Sequence, residues 1–231
     1  MKNKQVWLIT AKTNLHVGNE NTSSYGLIDK SIQRDALTNL PCINSSSLKG
    51  ALNEYFAVKE NGKIDPVKVF GSDKTDSKKE TQKGSYVFFD ANILLLSVQC
   101  SSDLYYYATC NSVLEKFRAR LAAFEIPCDD KNEVLIEKLK AKYPKVIKLI
   151  QDDEFVELCD DDNLPIIARN KLDNGESDNL WYEQILPSET VFYTLFMSKE
   201  KLIDDSLLEK KIVQIGANAT IGYGYCMFNQ F

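Results

Sequence analysis

The chain has 231 residues, 44% of them hydrophobic, and a formal net charge of −5. This length and apolar content can bury a substantial core and exclude a fibrous or disordered class. The acidic balance argues against a strong free-standing nucleic-acid binder, because attraction to phosphate supplies much of non-specific affinity; any such binding surface must gather its Lys and Arg on one face. The six cysteines, at 42, 100, 110, 128, 159 and 226, form no Cys-x-x-Cys pair and have no histidine cluster beside them. With no apolar N-terminal signal segment, buried or incidental thiols in a reducing cytoplasm are expected. No run approaches the roughly 18 apolar residues that cross a bilayer, so a cytoplasmic protein with no membrane partner is expected.

In chain order, Val6–Ala11 is rich in β-formers and reads as a strand. A polar loop follows, holding the single histidine, His16, and an aspartate, Asp29. Behind Ser45-Ser46-Ser47, the residues Leu48, Leu52 and Phe56 recur at helical spacing, which predicts a helix starting near Ser46. Its unpaired N–H groups and partial positive charge suit a phosphate, with Lys49 as a point charge, although an ordinary capped helix needs no ligand.

From Glu60 to Gly84 the chain turns polar and reads as a mobile, solvated loop. Tyr86–Ser97 and Leu104–Thr109 have strand composition, and Asn111 is placed to cap a helix whose apolar face carries Leu114, Phe117, Leu121 and Phe124. Arg118 and Arg120 fall off that stripe. This strand-helix-strand-strand-helix order predicts an α+β, ferredoxin-like or RNA-recognition-motif-like core in a single domain over 1–231.

Lys131–Tyr143 predicts a short helix stopped by Pro144; the mixed segment up to Asp162 fits no pattern. Asp160-Asp161-Asp162 reads as a solvated loop, since adjacent carboxylates diverge. Arg169–Glu176 is turn-rich, and about 160–180 is expected to form a projecting loop or hairpin. Thr190–Met197 reads as a strand, while Leu208, Ile212 and Ile215 mark the apolar side of a helix ending at Gly216. Gly222-Tyr223-Gly224 then opens a last strand, 225–231; the two glycines permit close backbone approach to a ligand and equally permit a tight turn.

Several of these segments resemble, in order, the backbone subunit of type III-B CRISPR effector complexes, the Cmr branch of the RAMP superfamily. The likeness is carried by Leu15-His16-Val17-Gly18, by Ile28-Asp29-Lys30-Ser31-Ile32-Gln33-Arg34-Asp35 and by Leu40-Pro41-Cys42-Ile43-Asn44-Ser45-Ser46-Ser47-Leu48-Lys49-Gly50. It continues through Val69-Phe70-Gly71, Phe89-Asp90-Ala91, Leu180-Trp181-Tyr182-Glu183 and Leu186–Tyr193 to Gln214-Ile215-Gly216 and Thr220–Gly224. Asn44-Ser45 stands where the family usually has Pro-Gly, and Tyr223 where an arginine often lies between the glycines; an aromatic there can still stack on a base.

The resemblance implies a modified ferredoxin-like RAMP fold with projecting elements. It also implies an RNA-guided, divalent-metal-dependent endoribonuclease that repeats along a CRISPR guide RNA beside other Cmr subunits and cuts complementary target RNA, with Mg²⁺ or another divalent cation as cofactor. Asp29 matches the aspartate required for cutting, where a carboxylate can hold the cation or position the attacking ribose hydroxyl. His16, able to act as acid, base or phosphate ligand or to anchor its loop, and Glu183 are further catalytic candidates. The RNA-binding candidates are Arg34, Ser46, Ser47, Lys49, Arg169, Lys171, Gly222, Tyr223 and Gly224. Asp35 and Glu189 are expected in ion pairs. Two alternatives remain: a non-catalytic guide-binding scaffold, and a repeat-RNA processing enzyme centred on His16.

Overall fold

Apolar side chains alternate along the central strands so that both faces are covered, which is why these strands read as nearly continuous hydrophobic runs. The computed structural model describes residues 1–18, 28–72, 82–129, 131–174 and 176–231. In chain order the elements are β1 (Asn3–Ala11), β2 (Cys42–Ile43), α1 (Ser45–Val58), α2 (Pro66–Phe70), β3 (Tyr86–Phe88), β4 (Ala91–Gln99) and β5 (Tyr105–Cys110). They continue with α3 (Asn111–Ala123), α4 (Asn132–Lys142), β6 (Ile147–Ile150), α5 (Asp152–Leu158), β7 (Ile166–Asp173), β8 (Glu176–Gln184), β9 (Val191–Ser198), β10 (Ile212–Gln214) and β11 (Tyr225–Gln230).

One mixed sheet runs β10-β11-β1-β9-β4-β5-β6, with β2 on β4 and β3 on β9. Only β5 and β6 pair in parallel among its described strands. The fold is α+β, and β9, late in the chain, lies between β1 and β4. On one face, Phe196 of β9 packs with Trp7 and Phe88, and the stack continues through Phe70 of α2 to Phe56 of α1. On the other, Tyr193 of β9 meets Phe117 of α3 at 4.6 Å between ring centroids, and Tyr107 meets Tyr143 beyond α4.

Several elements depart from the sequence reading. The expected helix over Leu208–Ile215 is instead a short 3-10 turn at Asp205–Leu207 followed by strand β10. Ile212 is exposed, Val213 buried, Gln214 half-buried and Ile215 buried, a period of two that the 3.6-residue template matched by coincidence. The Tyr86–Ser97 strand is broken at Phe89-Asp90 into β3 and β4. Helix α3 starts at Asn111 with no side-chain cap from its own first residues; Asp152 of α5 accepts from the Ser112 amide and hydroxyl instead. The segment that fitted no pattern holds β6 and α5.

Within 60–84, expected to be a polar loop, Asp65 caps α2 by accepting from the Val67 and Lys68 amides. The remaining lysine-rich stretch, 73–81, lies outside the described residues, as does Gly26 of the loop before Asp29. No described helix is long and apolar enough to cross a membrane.

The topology gathers loops at one sheet end. The end of β1 adjoins the starts of β9 and β11, with Thr10 opposite Val191 and Ala11 opposite Cys226. The segments around His16 and Asp29 leave β1 at that end, β8 arrives there, and the Gly216–Gly224 loop connects β10 to β11 there.

Candidate RNA-cutting site

Two stretches of the loop after β1 line the end of β8. Leu15 exchanges both backbone hydrogen bonds with Leu186, and the Gln33 amide donates to the Val17 carbonyl. The Asp29 and Lys30 amides both donate to the Tyr182 carbonyl, and the Gln184 amide donates to the Lys30 carbonyl, so this segment runs parallel to β8. Asp29 is exposed and accepts from the Tyr182 amide through Oδ2 at 2.7 Å. Its main chain and carboxylate are thus both fastened to one residue of the hairpin.

Glu183 lies on the opposite face of β8 and is 1% exposed. Its Oε1 accepts from Trp181 Nε1 at 2.7 Å and from Lys30 Nζ at 3.1 Å, and its Oε2 accepts from Asn218 Nδ2 at 2.8 Å. Arg169 Nε stands 3.9 Å from Oε2, with its guanidinium 5.7 Å from the centre of the Tyr223 ring. Burial disfavours the charged carboxylate, but the bonds from Trp181, Lys30 and Asn218 outweigh it and hold the pKa below the usual glutamate value. One buried charge therefore ties the Asp29 segment, the β7–β8 hairpin and the glycine loop together.

His16 is 2% exposed, its Nδ1 lies 2.7 Å from the Gln184 carbonyl, and its own carbonyl accepts from the Ala217 amide. A Cβ on Gly18 would sit 3.1 Å from Nε2, so a glycine at this position leaves room for the ring. The imidazole anchors β8 to the loop after β1. Gln33 links this region to α1, donating to Ser47 Oγ at 3.0 Å and to the Gly18 carbonyl and accepting from the Asn44 amide.

At the start of α1, Ser46 and Lys49 are exposed and Ser47 is half-buried. The anion place there is partly filled from within the chain, since the Ser45 amide donates to Asp90 Oδ1 at 2.6 Å. Arg34, expected on RNA, is engaged internally. Its side chain is 12% exposed; Nη1 donates to the Asn39 and Cys159 carbonyls and Nη2 to Asp161 Oδ1 at 2.6 Å. Asp161 is accordingly not merely solvated, which corrects the reading of the acidic triplet.

Lys171 is exposed on the hairpin and pairs with Asp178. Gly222 and Gly224 both have positive φ, and a Cβ on Gly224 would lie 2.0 Å from the Ile215 carbonyl oxygen, so this glycine is demanded by the β10–β11 approach. The expected ion pairs form between Asp35 and Lys116 and between Glu189 and Lys12.

Among the described residues no group of three or more His, Cys, Asp or Glu side chains could hold a metal ion. Asp29 offers one carboxylate, and that of Glu183 is taken up by its four partners. The described donors do not fit a resident metal site. Asn218, Gln184 and Asp161 were missed by sequence reasoning: each acts through a contact distant in the chain, and none sits in a motif that marks it as functional.

A family model for the RAMP superfamily matches residues 8–227. The chain belongs to the RAMP superfamily. This RAMP protein is 28% identical to the CRISPR system Cmr endoribonuclease Cmr4 of Pyrococcus furiosus, in an alignment that spans 259 positions with its gaps and covers 87% of each chain. Its fold is similar to a chain of the type III-B Cmr-beta complex bound to cognate target RNA, with a TM-score of 0.72, 20% identity and coverage of 99% of this chain and 97% of that one. It is also similar to oligomeric Cmr4 from Pyrococcus furiosus, with a TM-score of 0.70, 24% identity and coverage of 99% and 98%.

Proposed function

We propose that this RAMP protein is a Cmr4-type backbone subunit of a type III-B CRISPR effector complex: repeated copies line a guide RNA beside other Cmr subunits, and each copy cuts the paired target RNA at Asp29. The observation that carries this reading is the exposed Asp29 carboxylate, held by the Tyr182 amide where three segments converge. Asp29 accepts a hydrogen bond from the ribose 2′-hydroxyl and orients that oxygen toward the neighbouring phosphorus, the geometry that in-line attack requires. The exposed Lys49 and Ser46 at the start of α1, Arg169 and Tyr223 beside the hairpin, and Lys171 along it supply phosphate and base contacts.

His16 and Glu183 support the site by positioning its segments: both are buried, His16 Nδ1 is bonded to the Gln184 carbonyl, and both Glu183 oxygens are engaged. Burial of His16 weighs against repeat-RNA processing centred on that residue. A divalent cation, implied by the resemblance, would draw most of its ligands from RNA and solvent.

The test is a reconstituted complex given end-labelled RNA complementary to its guide. Cutting at regular intervals, one per backbone copy and absent with a mismatched guide, is the expected result. Stable target binding with no cutting under any divalent cation would leave the scaffold reading instead.

A further inference from the structure

We propose that Asp161, in the loop between α5 and β7, is a positioning residue for Asp29 and acts through the side-chain amide of Gln184. The proposal rests on the reading of Asp29 as the cutting residue. Gln184 is fully buried at the end of β8, and its two amide atoms are nearly equivalent in shape, so what fixes its orientation is the chemistry of its neighbours. Asp161 decides it. An ionised carboxylate only accepts, and Asp161 Oδ1 lies 2.9 Å from Gln184 Nε2, so the amide nitrogen must face the aspartate. The amide oxygen is thereby turned to the other side, where it accepts from the Ile32 amide at 3.2 Å.

Ile32 is the far end of the segment that carries Asp29. The near end is fixed by the Tyr182 carbonyl and by the Lys30–Glu183 pair, so Gln184 supplies the second fastening that sets this segment along β8. Asp161 is itself held by Arg34 Nη2 on the same oxygen at 2.6 Å, and burial of that carboxyl is outweighed by the Gln184 bond and the Arg34 charge. Arg34, two residues beyond Ile32, thus closes a loop from Asp161 back to the Asp29 segment. With Asp161 removed, the buried Nε2 of Gln184 loses its acceptor, the side chain is held at one end only, and its grip on the Ile32 amide loosens so that the segment shifts.

The experiment measures single-turnover cutting by the assembled complex at saturating target, together with guide occupancy and target Kd. The chains compared are wild type, Asp161→Ala, Asp161→Asn, Gln184→Met, the double variant Asp161→Ala/Gln184→Met, and Asp29→Ala. A displacement of reacting groups by about 1 Å can cost up to about a hundredfold in rate, so a fall of roughly tenfold or more is expected in Asp161→Ala, with guide occupancy and target Kd unchanged. Asp161→Asn should recover most of the rate, because its side-chain oxygen still accepts from Gln184. The double variant should be no slower than Gln184→Met alone, because both changes break the same fastening.

Wild-type cutting by Asp161→Ala overturns the proposal. So do equal losses in Asp161→Ala and Asp161→Asn, losses in the double variant that multiply, or a loss confined to guide occupancy or target binding. Wild-type cutting by Asp29→Ala overturns the underlying reading of the site, separately from anything Asp161 does.

Discussion

At the scale of single residues, two carboxylates illustrate how this chain uses buried charge. Asp35 accepts from the Leu37 and Thr38 amides, the Thr38 hydroxyl, Asn92 and Lys116. Burial alone would raise its pKa, but the Thr38 bonds and the Lys116 ammonium outweigh it and hold the pKa at about 2. A folded-state pKa below the unfolded one contributes stability above the unfolded value and loses it as pH falls. Urea denaturation should therefore show wild type about 2 kcal/mol more stable than Asp35→Asn at neutral pH, with the gap closing between about pH 4 and pH 2. A gap independent of pH would contradict the charged role.

Glu183→Ala strips the acceptor from Trp181 Nε1 and Asn218 Nδ2 and should cost about 1–3 kcal/mol in the same assay, since orphaned buried donors carry their desolvation penalty. The candidate aspartate was legible only through its neighbours in sequence: an aspartate in a polar loop is ordinary, and the motif around Asp29 is what singled it out. Arg34 shows the converse. It stands in that same motif, yet its partners, the Cys159 carbonyl and Asp161, come from far along the chain.

Among the secondary-structure elements, composition and periodicity located the buried strands because apolar residues cover both faces of β1, β4 and β9. They failed at β10, where Leu208, Ile212 and Ile215 satisfy a helical spacing while the backbone pairs with β11. Pairing with a distant strand overrode the local pattern, as it did where β6 joins β5 in parallel. The Gly222–Gly224 turn allows a sharp comparison. Both glycines have positive φ, but a Cβ on Gly222 meets nothing within 4 Å, whereas one on Gly224 would strike the Ile215 carbonyl. Gly222→Ala should cost about 1 kcal/mol from backbone strain alone, and Gly224→Ala about 3 kcal/mol or more with β10 displaced. Equal costs in thermal or urea unfolding would show that the β10–β11 approach is looser than described.

Across the whole molecule, a net charge of −5 leaves little general attraction for nucleic acid, so any affinity must come from a local surface. Lys30 lies on the Asp29 segment, Arg169 and Lys171 on the hairpin beside it, and Lys49 at the start of α1. RNA affinity of the assembled complex should fall with salt, each single-strand phosphate contact adding about −0.7 to the log–log slope, and a flat response would contradict the charge-based account. The overall α+β class and the order of most elements could be read from the chain. The insertion of β9 between β1 and β4 could not, because it depends on which distant edges meet.

The most direct test of the central claim is cutting of guide-complementary RNA by the assembled complex with Mg²⁺, comparing wild type with Asp29→Ala at equal guide occupancy. The account predicts regularly spaced products from wild type and none from the variant, with target binding retained by both. Identical products from the two would contradict it, since the exposed Asp29 carboxylate beside β8 would then have no part in the chemistry.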